Sequence, residues 1–213
     1  MQNIQSQITA TDKNIRHSDI SKVIEDMKRA GMPSPIDKVF ISIPDAKSVL
    51  QKYLSHFLQM QGRKLQWLPE YDHICEWLSD NKGLGLFMYG NCGRGKSFLG
   101  RYILPAILLK YNNKIVKTFD VQEMNKDPEL LLSKHIIGID DIGTEEVSNT
   151  FGNKRMVFGE IMDSVEKQSK LIIISSNLQQ KDLKEKYGDR ILDRIKETTK
   201  RVLFEGESLR GKF

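Results

Sequence analysis

One stretch constrains the fold more than any other: Gly90-Asn91-Cys92-Gly93-Arg94-Gly95-Lys96-Ser97. Its spacing is G-x-x-x-x-G-K-S, the phosphate-loop or Walker A pattern. Gly90, Gly93 and Gly95 permit backbone angles and close approaches that a Cβ would block. Successive N–H groups can then wrap a phosphate at the positive end of the helix that follows. Lys96 can reach the β- and γ-phosphates, and the Ser97 hydroxyl can hold Mg²⁺. The flanks supply the context this loop needs. Leu84 to Tyr89 is a short apolar run that reads as a buried strand, and Ser97 to Leu104 reads as a helix start. Gly90 through Phe98 is therefore the candidate ATP-binding set.

A phosphate loop after a buried strand needs a sheet around it, and 213 residues suffice for one such core plus an appendage. At 39% hydrophobic and 29% charged, the composition is that of a globular protein. No run approaches the roughly 18–20 apolar residues of a membrane span, and Met1 to Gln7 has no signal-peptide pattern. Two cysteines, Cys75 and Cys92, make neither a disulfide framework nor a structural zinc site, so a reducing, cytoplasmic setting is expected. The net charge of +5 is compatible with nucleic acid but does not single it out.

Along the chain, residues 1 to about 17 are polar and without period, which predicts disorder. Ser18-Asp19 offers an N-cap to a helix with Ile20, Val23, Ile24 and Met27 on one face, ended by Gly31 and Pro33. Such a short helix must dock, on the chain's own core or on a partner protein. Pro33-Ser34-Pro35 reads as a linker. Residues 1–42 thus form an N-terminal extension and 43–213 the catalytic domain, with a helical lead-in over 43–83 and the core over 84–213. Asp45 is placed to cap a helix that buries Leu50, Tyr53, Leu54, Phe57 and Leu58. Pro69 starts another, running to about Ser79 with Tyr71, Ile74, Cys75 and Leu78 inward.

Beyond the loop, Pro105 should kink or end the helix. Strands are expected at Ile115–Phe119, His135–Ile139, Leu171–Ser175 and Val202–Phe204. A helical stripe (Met156, Val157, Ile161, Met162, Val165) and two helical pieces, Gln180–Lys186 and Asp189–Thr198, lie between them. Strands alternating with helices, and lacking polar alternation, indicate a mostly parallel sheet covered on both faces.

Acids gather at one strand end. Asp140-Asp141 closes an apolar strand as a Walker B pair, beside the loop because ligands bind at the carboxyl ends of such strands. Asp140 is the candidate Mg²⁺ ligand with Ser97. Asp141 is the candidate to orient or deprotonate the attacking water, with Glu145 and Glu146 competing for that role. Asn177 ends the next strand, where an amide could sense the γ-phosphate or serve as an ordinary turn residue. Arg190 and Arg194 lie four apart on one helical face. Either could neutralise charge on a neighbour's γ-phosphate, or could simply pair with Asp189, Asp193 or Glu197. Lys154 and Arg155 follow the Walker B turn, as a DNA-phosphate contact or a solvated helix start.

Taken in order, GNCGRGKS, HIIGIDDIGTEE, LIIISSNL and YGDRILDRIKE resemble the AAA+ ATPases of the DnaC/IstB type, over about residues 66–210. These are replicative-helicase loaders and transposition helper ATPases. The resemblance implies sheet order 5-1-4-3-2, no C-terminal lid domain, Asn177 as first sensor and Arg194 as the arginine finger, with Arg190 the alternate. It also implies ATP hydrolysis with Mg²⁺, nucleotide-dependent homo-oligomers, single-stranded DNA, and a replicative helicase or transposase as partner. A nucleotide-switched adaptor with little turnover is the reading from another class. Arg210 is at most a weak second sensor.

Overall fold

Gly85–Gly90 (β1), the strand that feeds the glycine loop, lies inside a five-stranded sheet in a computed structural model that describes residues 17–32, 38–144, 148–150 and 153–211. The other members are β2 (Lys117–Asp120), β3 (Ile136–Ile142), β6 (Leu171–Ser176) and β7 (Thr199–Phe204), in the order β2-β3-β6-β1-β7. Every pairing is parallel. This is the order that the resemblance implies, with the fourth sheet strand between the loop strand and the acidic strand.

Alternation along these strands separates two cores. Leu86, Met88, Leu171, Ile173, Val202 and Phe204 pack on one face with α2 (Ala46–Gln59), α3 (Pro69–Ser79) and the helix after the loop. Phe87, Ile137, Ile139, Ile172 and Ile174 pack on the other with α7 (Val157–Lys167) and α8 (Gln180–Thr198). Strands buried on both faces are what an uninterrupted apolar pattern specifies. Short helices α5 (Val121–Lys126) and α6 (Pro128–Leu132) connect β2 to β3. Among the described residues no helical domain follows β7, and no helix is long and apolar enough to cross a membrane.

The chain divides between Asp37 and Lys38 into two compact units. In the first, α1 (His17–Arg29) ends in a Schellman turn at Gly31 (φ 70°), where Met32 N–H donates to Met27 O and Gly31 N–H to Lys28 O. Ser18 and Asp19 lie within α1 instead of capping it. The expectations for residues 1–16 and for Pro33 to Pro35 lie outside the described residues. In the second unit, Val39, Ile41 and Ile43 are buried in the first core. Asn81, 2% exposed, fastens that segment: its side chain accepts from Ile41 N–H and donates to Val39 O and Leu84 O.

Several local expectations change. Asp45 stands before α2 but is left-handed (φ 52°) and makes no side-chain cap. The second strand starts at Lys117, leaving Ile115 78% exposed. Met156 is 41% exposed and precedes α7. Residues 153–155 form β5, paired antiparallel with β4 (Ser148–Thr150), so Lys154 and Arg155 lie in a strand and not in the helix start that was one of their two readings. Pro105 does not end the post-loop helix. That helix, α4, runs as Lys96–Phe98, a π-turn Leu99–Ile103, then Leu104–Asn112. In the π-turn Leu104 N–H donates to Leu99 O. The next donor in that register would be Pro105, which has none. Gly100 O accepts instead from Thr118 Oγ1 on β2 (3.1 Å).

Candidate nucleotide site

The glycine loop is held from three sides. Asn91 N–H donates to Phe204 O at the end of β7 (2.8 Å), and its side chain donates to Gly206 O. Leu209 N–H donates to Gly93 O (2.9 Å), and Ser208 lies so near Gly93 (φ 75°) that a Cβ there would fall 2.0 Å from its hydroxyl. Arg94 engages its guanidinium outside the loop, with Glu70 and the Glu207 carbonyl. It meets Glu70 on α3 at 2.7 Å, with both side chains almost wholly buried, while Glu70 also accepts from Glu205 N–H. Arg94, a candidate phosphate contact, also lines the cleft, with its side chain bound to Glu70.

Lys96 is 4% exposed, and its Nζ donates to Gly90 O (2.9 Å) and Asn91 O (2.7 Å) of its own loop. Burial holds its pKa below the usual 10.5, against the opposing pull of Cys92, Asp141 and Asp140. Ser97 is exposed one residue further on, and Phe98 meets Phe57 of α2 edge-on. Cys92 is exposed and Cys75 buried, both free; burial pushes the Cys75 thiol up to about 11.

A β-bulge re-aims the acid pair. Ile139 pairs with Ile174, but Ile142 pairs with Ser176, so β3 carries an extra residue between them. Asp141 takes it up in the left-handed region (φ 61°). Bulges redirect side chains next to active sites, and here the two acids part company. Asp140 stays 7% exposed, accepting from Ser175 Oγ and from Arg101 Nε (2.6 Å). Asp141 faces the cleft, where Asn177 Nδ2 donates to its Oδ1 (2.6 Å). The Ser175 hydroxyl joins them, accepting from Asp141 N–H. Ser175 and Arg101 carry no motif signal; Ser175's place beside Asn177 was the one available clue.

A cleft of about 290 Å³ unites these parts. Gly93 to Phe98, Asp141 and Asn177 line one side; Leu58, Arg63, Lys64 and Tyr71 line another, with Leu209 and Arg210. A Schellman turn at Gly62 (φ 70°) after α2 brings residues 58–66 to this wall. Burial, then Glu70, pushes the Tyr71 phenol up to about 12. Arg210 is near enough to depress Lys96 further. The residues suit a nucleotide with Mg²⁺: loop donors, a buried cation, a hydroxyl and the Asp141 carboxylate line one cleft, with Asp140 buried next to Asp141 in sequence. Among the described residues no cluster of three or more His, Cys, Asp or Glu side chains could hold a metal ion.

Arg190 and Arg194 lie elsewhere, on the second half of α8 beyond a kink at Gly188 (φ 79°, ψ 168°). Arg194, 12% exposed, is bound to Asp163 (2.5 Å) and Glu166 (2.6 Å) of α7. Arg190 is 76% exposed, 3.6 Å from Asp163. Neither lines the cleft. Glu145 and Glu146 fall outside the described residues.

Strand order and glycine loop give the chain the AAA+ P-loop fold, with no lid domain among the described residues. No protein-family model and no curated protein matches the chain. Among solved structures it is similar to AMPPCP-bound DnaA from Aquifex aeolicus, at 17% identity and TM-score 0.48 over 67% of this chain. It spans about half of that DnaA chain, 49%. It is also similar to the DnaC helicase loader (17%, TM-score 0.49, covering 77% of this chain and 93% of that one). DnaI stands alongside (19%, TM-score 0.49, 84% and 94%). The fold stated above is set by the strand order and the glycine loop themselves.

Proposed function

We propose that this chain binds and hydrolyses ATP as an AAA+ protein of DNA replication, acting like a helicase loader on single-stranded DNA and a replicative helicase. The Asn177–Asp141 hydrogen bond carries the ATPase reading. It sets a carboxylate and an amide side by side over the same cleft as the phosphate loop. In this reading the loop's N–H groups and Lys96 hold the phosphates, Lys96 exchanging its loop carbonyls for phosphate oxygens. Ser97 and Asp140 would hold Mg²⁺, which supplies charge neutralisation on the phosphates. Asp141 takes the proton of the attacking water and Asn177 orients that water. Leu58, Phe98 and Leu209 offer the base an apolar wall. Replication and DNA rest on the four motifs in their order, which resemble the loaders.

The experiment pairs nucleotide with DNA. ATP with Mg²⁺ should raise the melting temperature in proportion to the logarithm of its concentration. Single-stranded DNA affinity should fall with salt by a log–log slope of about −0.7 per contacted phosphate. Neutralising Lys154 and Arg155 should flatten that slope. Nucleotide binding without DNA binding at low salt would instead favour the nucleotide-switched adaptor.

A further inference from the structure

Asp140 has more partners than a metal ligand needs. Its carboxylate is 7% exposed, and a charge so buried requires compensation. Ser175 Oγ donates to one oxygen and Arg101 Nε to the other, at 2.6 Å. Arg101 reaches it from α4, at the centre of the π-turn Leu99–Ile103. Such turns recur at functional sites because they rotate side chains off the regular helical register. The turn here is fixed by specific chemistry: Pro105 lacks the N–H that would continue the register, and Thr118 Oγ1 takes the Gly100 carbonyl. Gly138 on β3 leaves room for that hydroxyl, since a Cβ there would lie 2.5 Å from it. Asp120, register partner of Asp140 across β2 and β3, adds a second negative charge near Arg101.

We propose that Arg101 is a built-in counter-ion of Asp140, which fixes the carboxylate's position and competes with Mg²⁺ for it, so that this residue sets how strongly Mg²⁺ and nucleotide binding are coupled. The proposal rests on the ATP–Mg²⁺ reading of the cleft. A guanidinium on the same carboxylate is a like charge within a few ångströms of an incoming Mg²⁺, and such repulsion is strong where water is scarce. Arg101 is a positioning residue: it acts on the reaction through Asp140. Its presence also explains how a buried carboxylate is held in one orientation before Mg²⁺ arrives.

The test measures nucleotide affinity by fluorescent ATP analogue, in EDTA and in Mg²⁺, for the whole chain. The readout is the factor by which Mg²⁺ tightens binding. Arg101→Gln should enlarge that factor about fivefold or more over wild type, with affinity in EDTA little changed. Asp140→Asn should abolish it, and adding Arg101→Gln to Asp140→Asn should then have no effect, because the two act through one contact. Arg101→Gln should also lower the melting temperature without Mg²⁺, and Mg²⁺ with nucleotide should narrow that gap. If Arg101→Gln folds poorly, Arg101→Lys keeps the charge, loses the planar fork, and should show a smaller increase. An unchanged or reduced factor in folded Arg101 variants that bind nucleotide overturns the proposal and leaves the ATP site standing. Absence of nucleotide binding by wild type overturns both.

Discussion

Asp141 bears the heaviest burden of any single residue here. Its left-handed backbone costs about 1–3 kcal/mol unless the surroundings hold it, and Ser175, Asn177 and Thr144 all do so. Asp141→Asn should keep nucleotide affinity and lose about 10²–10⁴-fold in turnover, since an amide accepts no proton. Single-turnover hydrolysis and analogue binding measured together would check it; equal turnover would move the base to Glu145 or Glu146. Lys96 makes a pH prediction. Burial depresses its folded pKa below 10.5, so the unfolded chain binds more protons between the depressed value and 10.5. Stability from this group therefore rises with pH through that window. Phosphate favours the charged form, so nucleotide affinity should fall across the same window. Titrating both with pH should show opposite slopes. The roles of Asp140 and Asp141 as candidates were legible in the sequence; their separation by a bulge was not, because a one-residue register shift depends on what β6 pairs with.

At the scale of elements, periodicity served well where helices bury a stripe. Helix α3 spans Pro69 to Ser79 as read, with Tyr71, Ile74, Cys75 and Leu78 buried. The break between two helical pieces near Gly188 was also legible, because glycine and local polarity coincide there. Its angles (φ 79°, ψ 168°) fall in a region nearly closed to other residues. No atom outside its local backbone lies within 4 Å of a Cβ added at Gly188, so the cost of Gly188→Ala is conformational. It should destabilise by about 1–3 kcal/mol in chemical denaturation and leave nucleotide affinity alone. Pro105 left the form of the irregularity open because proline's missing donor has two remedies, ending the helix or shifting its register, and the choice lies with Thr118 on another element. Asn81 was invisible for the same reason: its partners Ile41, Val39 and Leu84 are set by tertiary packing. Asn81→Leu should cost about 2–4 kcal/mol, by stranding these backbone groups.

At the scale of the molecule, α8 faces the question of assembly. We propose that subunits associate with nucleotide between them, and the two arginines then differ sharply. Arg194 is turned inward onto Asp163 and Glu166, partners on α7 that no helical spacing within α8 could reveal. To reach a neighbour's phosphate it would have to leave both. Arg190, one turn earlier, is exposed and only loosely opposed by Asp163. We propose on this geometry that Arg190, the alternate, serves as the finger while Arg194 anchors α8 on α7. Arg190→Ala should bind ATP normally and hydrolyse it poorly at every protein concentration, with melting unchanged. Arg194→Ala should lower the melting temperature first. Mixing Arg190→Ala with Asp141→Asn should restore part of the turnover, because one class of hybrid interface joins an intact base to an intact finger. Wild-type specific activity should climb with protein concentration. If mixtures shown to co-assemble recover nothing, and recovery appears instead with Arg194→Ala, the inward ion pairs must open on assembly and Arg194 regains the role. If neither recovers and wild-type turnover ignores concentration, each subunit completes its site alone, with Arg210 one of the cations already at the cleft.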